Sequence, residues 1–435
     1  MNLAESAALA LSARERGWQE AESADQADLI LINTCSVRAT AEQRVRGRLD
    51  HHSSIKKKRP FCLVLAGCMA QRLGTTLLSD YPAIDYLLGT TGRSQFPLIL
   101  EALERGVSFT ASDEEPVFSF SPVHADEASP YRSFVPIMHG CSNYCSYCIV
   151  PYVRGPEISR DPAEILQEIR LVGDRGIREI TLLGQNVNSY LWKGPEGTLD
   201  FPGLLRRIAS QITDSGGVQW VRFLSSHPKD VSDELIRVLS EHSCFCRHIH
   251  LCVQHGSNRI LEKMNRRYSR EHYLDLVRKI RSELPQVSLS TDLLVGFPGE
   301  TEEDFQELLS LMEEVKFLYA YMYHYNPREG TAAWALPDRI ADKIKKDRLQ
   351  RVISLQKVHT TSILRSRVGQ EVRVLIEGIS RKNADELISR TERDEMVVVR
   401  GPSSALGSFA TLNLSSLRGN TFRAEHFEFA PNNVE

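Results

Sequence analysis

Apolar residues in this chain come in short runs separated by amphipathic stretches, and the rhythm changes twice along its length. Near the start, Leu9-Ala10-Leu11 belongs to a helical segment that ends near Gly17. Asp28-Leu29-Ile30-Leu31-Ile32-Asn33 is a near-continuous apolar run, as expected of a parallel strand buried on both faces. Residues 41–49 read as a helix, and Phe61-Cys62-Leu63-Val64-Leu65-Ala66 as a second such strand. Short strands alternating with helices predict an open α/β domain over residues 1–107. It opens in a helix, where such a domain ordinarily opens in a strand. Residues 108–132 are polar and Pro-containing and read as a linker.

The second rhythm is a regular alternation. Apolar runs sit at residues 134–138, 180–183, 218–224, 248–253, 287–295 and 317–325. Between them, residues such as Ile165, Ile169 and Val172, or Leu308, Leu309, Met312 and Val315, recur at helical spacing. Six βα units are too few to close an eight-stranded barrel, so residues 133–366 predict a partial, six-stranded (β/α) barrel ending in a long charged helix over 338–362. The last segment, 367–430, alternates like strands at 372–376, 396–399 and 409–412, which predicts a small β-barrel.

Composition adds limits rather than identity. A length of 435 residues suits about three domains, and 42% hydrophobic with 25% charged residues is ordinary for a folded chain. The net charge of −3 by itself points to no polyanionic partner. No apolar stretch approaches the length of a membrane span, and the N-terminus lacks the basic-then-apolar pattern of an export signal. Nine Cys, an odd number in a large chain, disfavour a secreted disulfide scaffold and fit metal-bound or free thiols in a reducing cytoplasm.

The strongest chemical signal is Cys141-Ser142-Asn143-Tyr144-Cys145-Ser146-Tyr147-Cys148, a C-x3-C-x2-C run just after the first barrel strand. Three thiolates on one loop can hold a 4Fe–4S cluster and leave one iron without a protein ligand. Such an open position marks a catalytic rather than a structural metal site. The C-terminal face of barrel strands is also where active sites form. The competing readings are a zinc knuckle, for which His139 is the one local fourth ligand, or free thiols.

The run, with Tyr147 before its last Cys, resembles the radical S-adenosylmethionine (SAM) superfamily motif. The continuation Ile149-Val150-Pro151-Tyr152-Val153-Arg154-Gly155-Pro156-Glu157-Ile158-Ser159-Arg160 resembles the methylthiotransferase branch. Further segments agree in order along the chain: Asn33-Thr34-Cys35-Ser36-Val37-Arg38, Gly67-Cys68-Met69-Ala70-Gln71-Arg72, Leu182-Leu183-Gly184-Gln185-Asn186-Val187-Asn188 and Ser226-His227-Pro228. So do Met264-Asn265-Arg266-Arg267-Tyr268, Asp292-Leu293-Leu294-Val295-Gly296-Phe297-Pro298-Gly299-Glu300 and Pro327-Arg328-Glu329-Gly330-Thr331. Ser36-Val37-Arg38 and Gly184-Gln185-Asn186-Val187-Asn188 resemble the members that methylthiolate N6-isopentenyladenosine at position 37 of tRNA. Relatives acting on threonylcarbamoyladenosine or on a ribosomal-protein aspartate are the alternatives, as is an inactive truncated fragment that binds RNA and iron–sulfur without turnover.

The resemblance implies two 4Fe–4S clusters, SAM, tRNA, an external electron donor and sulfur source, and a monomer. Cys141, Cys145 and Cys148 would hold the radical cluster, with Cys35 and Cys68 among the ligands of the second. One SAM would methylate a cluster-bound sulfur, and another would generate the radical that removes the unreactive C2 hydrogen of adenine. Tyr147, Gly184, Gln185, Ser226, Gln254 and Asp292 would face SAM, Gly184 by letting the backbone approach the methionine amine. Cys252 and His255 depart from the family pattern, which has Pro and Ser there. The C-terminal segment would be a TRAM-like RNA-binding barrel with Arg381, Lys382 and Arg390 as contacts. Its eight Lys/Arg against ten Asp/Glu from residue 368 onward give no overall basic charge to support this. Lys56-Lys57-Lys58-Arg59 and Arg266-Arg267 are further phosphate candidates, whereas Cys62, Cys244, Cys246, Cys252, His248 and His250 read as structural. Finally, Met1-Asn2-Leu3-Ala4-Glu5-Ser6 matches the residues just after the first strand and first cluster Cys of the family. The expectation is therefore a truncated N-terminal domain, with a second cluster in doubt and a translation start upstream.

Overall fold

The computed structural model describes residues 2–36, 39–109, 118–120, 130–195, 197–425 and 427–429. Val37, Arg38 and most of the expected linker lie outside the described residues.

The first domain holds α1 (Asn2–Glu15), β1 (Leu29–Thr34), α2 (Ala39–Lys56), β2 (Cys62–Gly67), α3 (Cys68–Asp80), β3 (Tyr86–Leu88) and α4 (Phe96–Glu104). Its sheet is parallel in the order β1-β2-β3. All six residues of β2 are buried, because helices cover both faces of the central strand. Strand β3 has three residues, too short a run to announce itself in the sequence.

The second domain carries six parallel strands: β4 (Arg132–Pro136), β5 (Glu179–Leu183), β6 (Trp220–Phe223), β7 (His248–His250), β8 (Ser288–Val295) and β9 (Tyr319–His324). They pair in chain order, β4-β5-β6 and β7-β8-β9. Single bridges at Val221–Phe245 and Ser226–Leu251 join the two halves, so the expected partial barrel is present. Val135, Leu182, Val221, Leu251 and Leu293 line one continuous core with the inner faces of the helices. Each such side chain stabilises the fold by roughly 1.5–3 kcal/mol. A Thr301–Asp304 capping box starts the helix Glu302–Val315, and Leu308, Met312 and Val315 bury its inner face, as the spacing predicted.

A long helix (Asp342–Arg365) leads into the third domain, a seven-stranded sheet of mostly antiparallel pairs. The sequence shows three of those strands and misses Asn383–Thr391, whose inward positions are Leu387, Ser389 and Thr391. The Ser389 hydroxyl donates to Val397 O at 2.9 Å, so a polar residue serves inside without an unpaired group. This sheet closes the end of the barrel at which the strands begin. Arg222 donates to Thr391 O at 2.7 Å, Tyr319 donates to Asp394 at 2.7 Å, and the Trp220 and Phe409 rings meet edge to face. The opposite end, where the strands finish, is left to the first domain and the cysteine loop.

Candidate functional site

The three-cysteine loop leaves β4 through a short antiparallel pairing of Met138–His139 with Ile158–Ser159. Gly140 turns it with φ +76°, and a Cβ there would lie 1.9 Å from Pro156 O, so only glycine fits. Cys141 N donates to Gly155 O at 3.1 Å and Cys148 N to Cys145 O at 2.9 Å, fixing both ends of the run. Cys141 and Cys145 are buried, and burial pushes the Cys141 thiol up to about 11 and the Cys148 thiol up to about 12. A metal ion that coordinates these sulfurs stabilises the thiolates and releases their protons to solvent, so iron would bind here with proton release. His139, the fourth ligand a zinc knuckle would need, instead has Nδ1 3.5 Å from Arg154 and stacks on Phe118.

Arg266 reaches the loop from the far side of the barrel. It is 3% exposed and donates to Cys145 Sγ at 3.2 Å, to Tyr268 Oη at 3.0 Å and to Cys252 O at 2.6 Å. The expectation that it meets RNA phosphate is overturned by this burial. Its charge bears on the thiolates instead. Tyr147 lies beside it, with its hydroxyl 3.5 Å from the same guanidinium, and burial pushes that phenol far up.

At the strand ends, Gln185 Oε1, Ser226 Oγ and His227 Nε2 are buried without a hydrogen-bond partner. Orphaned polar atoms of this kind belong where a polar ligand completes them. The SAM amine, carboxylate and ribose hydroxyls are of the right chemistry. Asn186 and Asn188 accept from His227 N at 3.2 and 3.0 Å and so tie two strand ends together rather than facing a ligand. Gln254 sits at φ +67° with its N–H on Asp292 O at 2.9 Å. Burial would raise the Asp292 carboxyl, but His250, Cys252 and Arg266 together hold it below the usual range. Gly184 is tightly packed: a Cβ there would lie 2.5 Å from Met138 Cγ, so its smallness admits Met138.

Cys35 and Cys68 come together by strand register. Thr34 pairs with Gly67, so the next residues of β1 and β2 are the two cysteines, at the carboxyl end of the sheet. Gly67 turns into Cys68 with φ +93°, and a Cβ there would meet Thr34 O at 2.5 Å. Cys62 begins the same strand, roughly 20 Å away at about 3.3 Å per residue, and is packed among Leu9, Val64 and Ala66.

The two cysteine groups share a wall. Cys68 packs against Ile149 and Val153, which belong to the turn and helix directly after Cys148. Arg154, from the same helix (Val150–Arg154), reaches back into the first domain and donates to Glu5 at 2.6 and 3.2 Å. Burial pushes the Glu5 carboxyl up, but Arg154 and Arg93 outweigh it and bring it down to about 2. Arg328 joins from the other side, 3.6 Å from Glu42, with Nε and Nη2 buried and unpartnered. The sequence reading did not single out Glu5. Its signal was a lone acid between apolar residues on a helix face, which requires a buried cation.

Three comparisons bear on this arrangement. Residues 135–312 match the Radical SAM superfamily, residues 1–89 the Uncharacterized protein family UPF0004, and residues 365–426 the TRAM domain. The tRNA-2-methylthio-N(6)-dimethylallyladenosine synthase of Treponema pallidum (strain Nichols) is 49% identical over 440 residues, or 98% of this chain and 96% of that protein. The chain belongs to the tRNA-2-methylthio-N(6)-dimethylallyladenosine synthase family. The synthase of Treponema denticola is 48% identical over 98% of this chain and 97% of its own length. That of Thermoanaerobacter sp. (strain X514) is 41% identical over 98% and 91%. The solved radical S-adenosylmethionine methyltransferase from Kitasatospora setae shares the fold, with a TM-score of 0.57 at 16% identity over 76% of this chain and 70% of that one.

The RNA candidates separate by burial. Arg381 and Lys382 are exposed at the turn between two strands of the C-terminal sheet. Arg390 is half-buried and already pairs with Glu377 at 2.9 Å and Asp394 at 2.7 Å. Lys56 and Arg59 are likewise held, by Asp85 and by Asp28.

Proposed function

We propose that this chain methylthiolates C2 of N6-isopentenyladenosine at position 37 of tRNA, using one SAM as methyl donor, one as radical source, and a cluster-bound sulfur. The observation that carries the reading is the shared wall: the helix that follows the C-x3-C-x2-C loop packs directly on Cys68 of the first domain. A reaction that takes hydrogen from one carbon and delivers sulfur to the same carbon needs its two reagent sites adjacent.

Cys141, Cys145 and Cys148 would hold the radical cluster, and Cys35 and Cys68 would supply two ligands of the second. When bound, the cluster and SAM provide the radical that adenine C2–H chemistry demands and that no side chain can supply. Gln185, Ser226, Gln254, Asp292 and Tyr147 would orient SAM, the first two through atoms that otherwise lack a partner. Arg266 would bind through charge at Cys145 and keep water from that thiolate by its burial. Arg381 and Lys382 would contact tRNA phosphates, with Arg390 bracing the sheet behind them. The electron and sulfur donors would be external, and the chain would act as a monomer in the cytoplasm. Among the described residues no helix is long and apolar enough to cross a membrane.

Nucleoside mass spectrometry of tRNA from a strain lacking the gene tests the reading. Loss of 2-methylthio-N6-isopentenyladenosine, with its unthiolated precursor accumulating, is the expected result. Loss of a thiolated threonylcarbamoyladenosine, or an unchanged tRNA profile, would move the assignment to a sibling substrate.

A further inference from the structure

His250 and Cys252 point to one side of their strand path, because alternate residues share a face. The paired strand β8 places Ser290 opposite His250, so Asp292 stands opposite Cys252 on the same face. The ligand atoms of His250, Cys252 and Asp292 all lie within 4.8 Å of one another, with His250 Nε2 3.4 Å from Asp292 Oδ2. His250 Nδ1 is 2.9 Å from Ser290 Oγ, and that hydroxyl also meets His248 Nε2 at 2.8 Å. With Nδ1 held by the Ser290 hydroxyl, Nε2 is the ring nitrogen turned to the carboxylate and thiol. Metal-binding histidines are held by this kind of second hydrogen bond.

We propose that His250, Cys252 and Asp292 form a zinc site in the barrel lumen, distinct from the C-x3-C-x2-C loop, whose occupation excludes SAM. One imidazole, one thiolate and one carboxylate with an open fourth position is a zinc donor set. A Zn2+ ion here is neutralised by the carboxylate and the thiolate, and binding releases the Cys252 proton to solvent. Arg266 approaches Cys252 through its carbonyl oxygen, while the thiol meets the Asp292 carboxylate, a contact that a metal ion between them would replace. Asp292 is shared with the SAM-facing surface, so metal and SAM compete for it. Zinc binding by these three side chains is independent of which RNA is the substrate.

The test uses protein with its iron–sulfur content reconstituted, dialysed against Zn2+ and then assayed for SAM cleavage under reducing conditions. Wild type should retain about one zinc per chain more than Cys252→Ala. Micromolar Zn2+ should inhibit its SAM cleavage, and raising SAM should relieve the inhibition. Cys252→Ala, read against its own rate in zinc-free buffer, should show half-inhibition moved to at least about 10-fold higher zinc. Cys252→Ser, closer in size and a poorer zinc ligand, serves if the alanine variant loses iron or melts early, and should show the same shift. Equal zinc content and equal zinc sensitivity in wild type and either well-folded variant would overturn the proposal. So would inhibition that SAM leaves unrelieved.

Discussion

The two cysteine groups are built by opposite means. In the barrel, three thiols are spaced within one eight-residue loop, which leaves and returns through glycine at 140 and a short strand pairing and is braced from outside by Met264, Asn265 and Arg266. In the first domain, Cys35 and Cys68 are far apart in sequence and meet only because β1 and β2 are in one register. A slip of that register would separate them. The loop site carries all three of its thiols on one local segment. The sheet site depends on a whole domain and on its docking through Arg154 and Glu5. A local site can be broken without unfolding anything, and a register-dependent site can be broken from a distance.

The sharpest break is between activities. Cys145→Ala should abolish SAM cleavage and thiolation together, because two remaining thiolates hold the radical cluster badly. Cys68→Ala should abolish thiolation and leave reductive SAM cleavage near wild type. Both are read by 5′-deoxyadenosine and nucleoside analysis on the same anaerobic samples. If Cys68→Ala also stops SAM cleavage, the two sites are not separable and the contrast fails.

Arg154 is the distant break. Replacing it with Met leaves the buried Glu5 carboxylate with Arg93 alone, at a cost of up to about 3–5 kcal/mol. Urea unfolding should show that loss in the transition of the first domain. Thiolation should fall further than SAM cleavage, since the sheet site and not the loop loses its support.

The same ion pair sets an acid limit. The Glu5 carboxyl goes from 4.5 to about 2 on folding, which corresponds to about 3 kcal/mol. Because the folded value is the lower one, this contribution is complete above the unfolded carboxylate range and is lost as pH falls through 4.5 toward 2. Glu5→Gln should lower stability at neutral pH and flatten the acid limb between pH 5 and 2. Thermal unfolding across that range measures it, and an unchanged limb would show that Glu5 does not set it.

Legibility followed the same divide. The loop cysteines, the six barrel strands and the long helix were readable because their information is local: fixed spacing, apolar runs and helical periodicity. The packing of Gly184 was not legible, since its neighbour Met138 is distant in sequence and meets it only across β4 and β5. Arg266 was misread as a surface phosphate contact, because an arginine pair in sequence does not reveal which side chain turns inward. Strand Asn383–Thr391 was missed because two of its interior positions, Ser389 and Thr391, are satisfied by hydrogen bonds rather than by apolar bulk, leaving Leu387 alone to mark the face.

The smallest predicted effect lies where the loop site does depend on something distant. Arg266 comes from beyond β7, yet it is the cation in hydrogen-bond reach of Cys145 Sγ, at 3.2 Å. Its other donors are occupied by Tyr268 and by Cys252 O, so the guanidinium is held in one orientation. Arg266→Gln keeps a donor but removes the charge, and a partner of a metal ligand typically contributes 10–100-fold. SAM cleavage should therefore fall by about 10–100-fold while iron content at the loop stays near wild type. Arg266→Lys should recover only part of this, because a single ammonium cannot serve the thiolate, the phenol and the carbonyl at once. A redox titration of the loop cluster separates the causes, since loss of a nearby positive charge moves the midpoint to more negative potential. If iron content collapses with activity, Arg266 holds the fold of the loop and does not tune the thiolate.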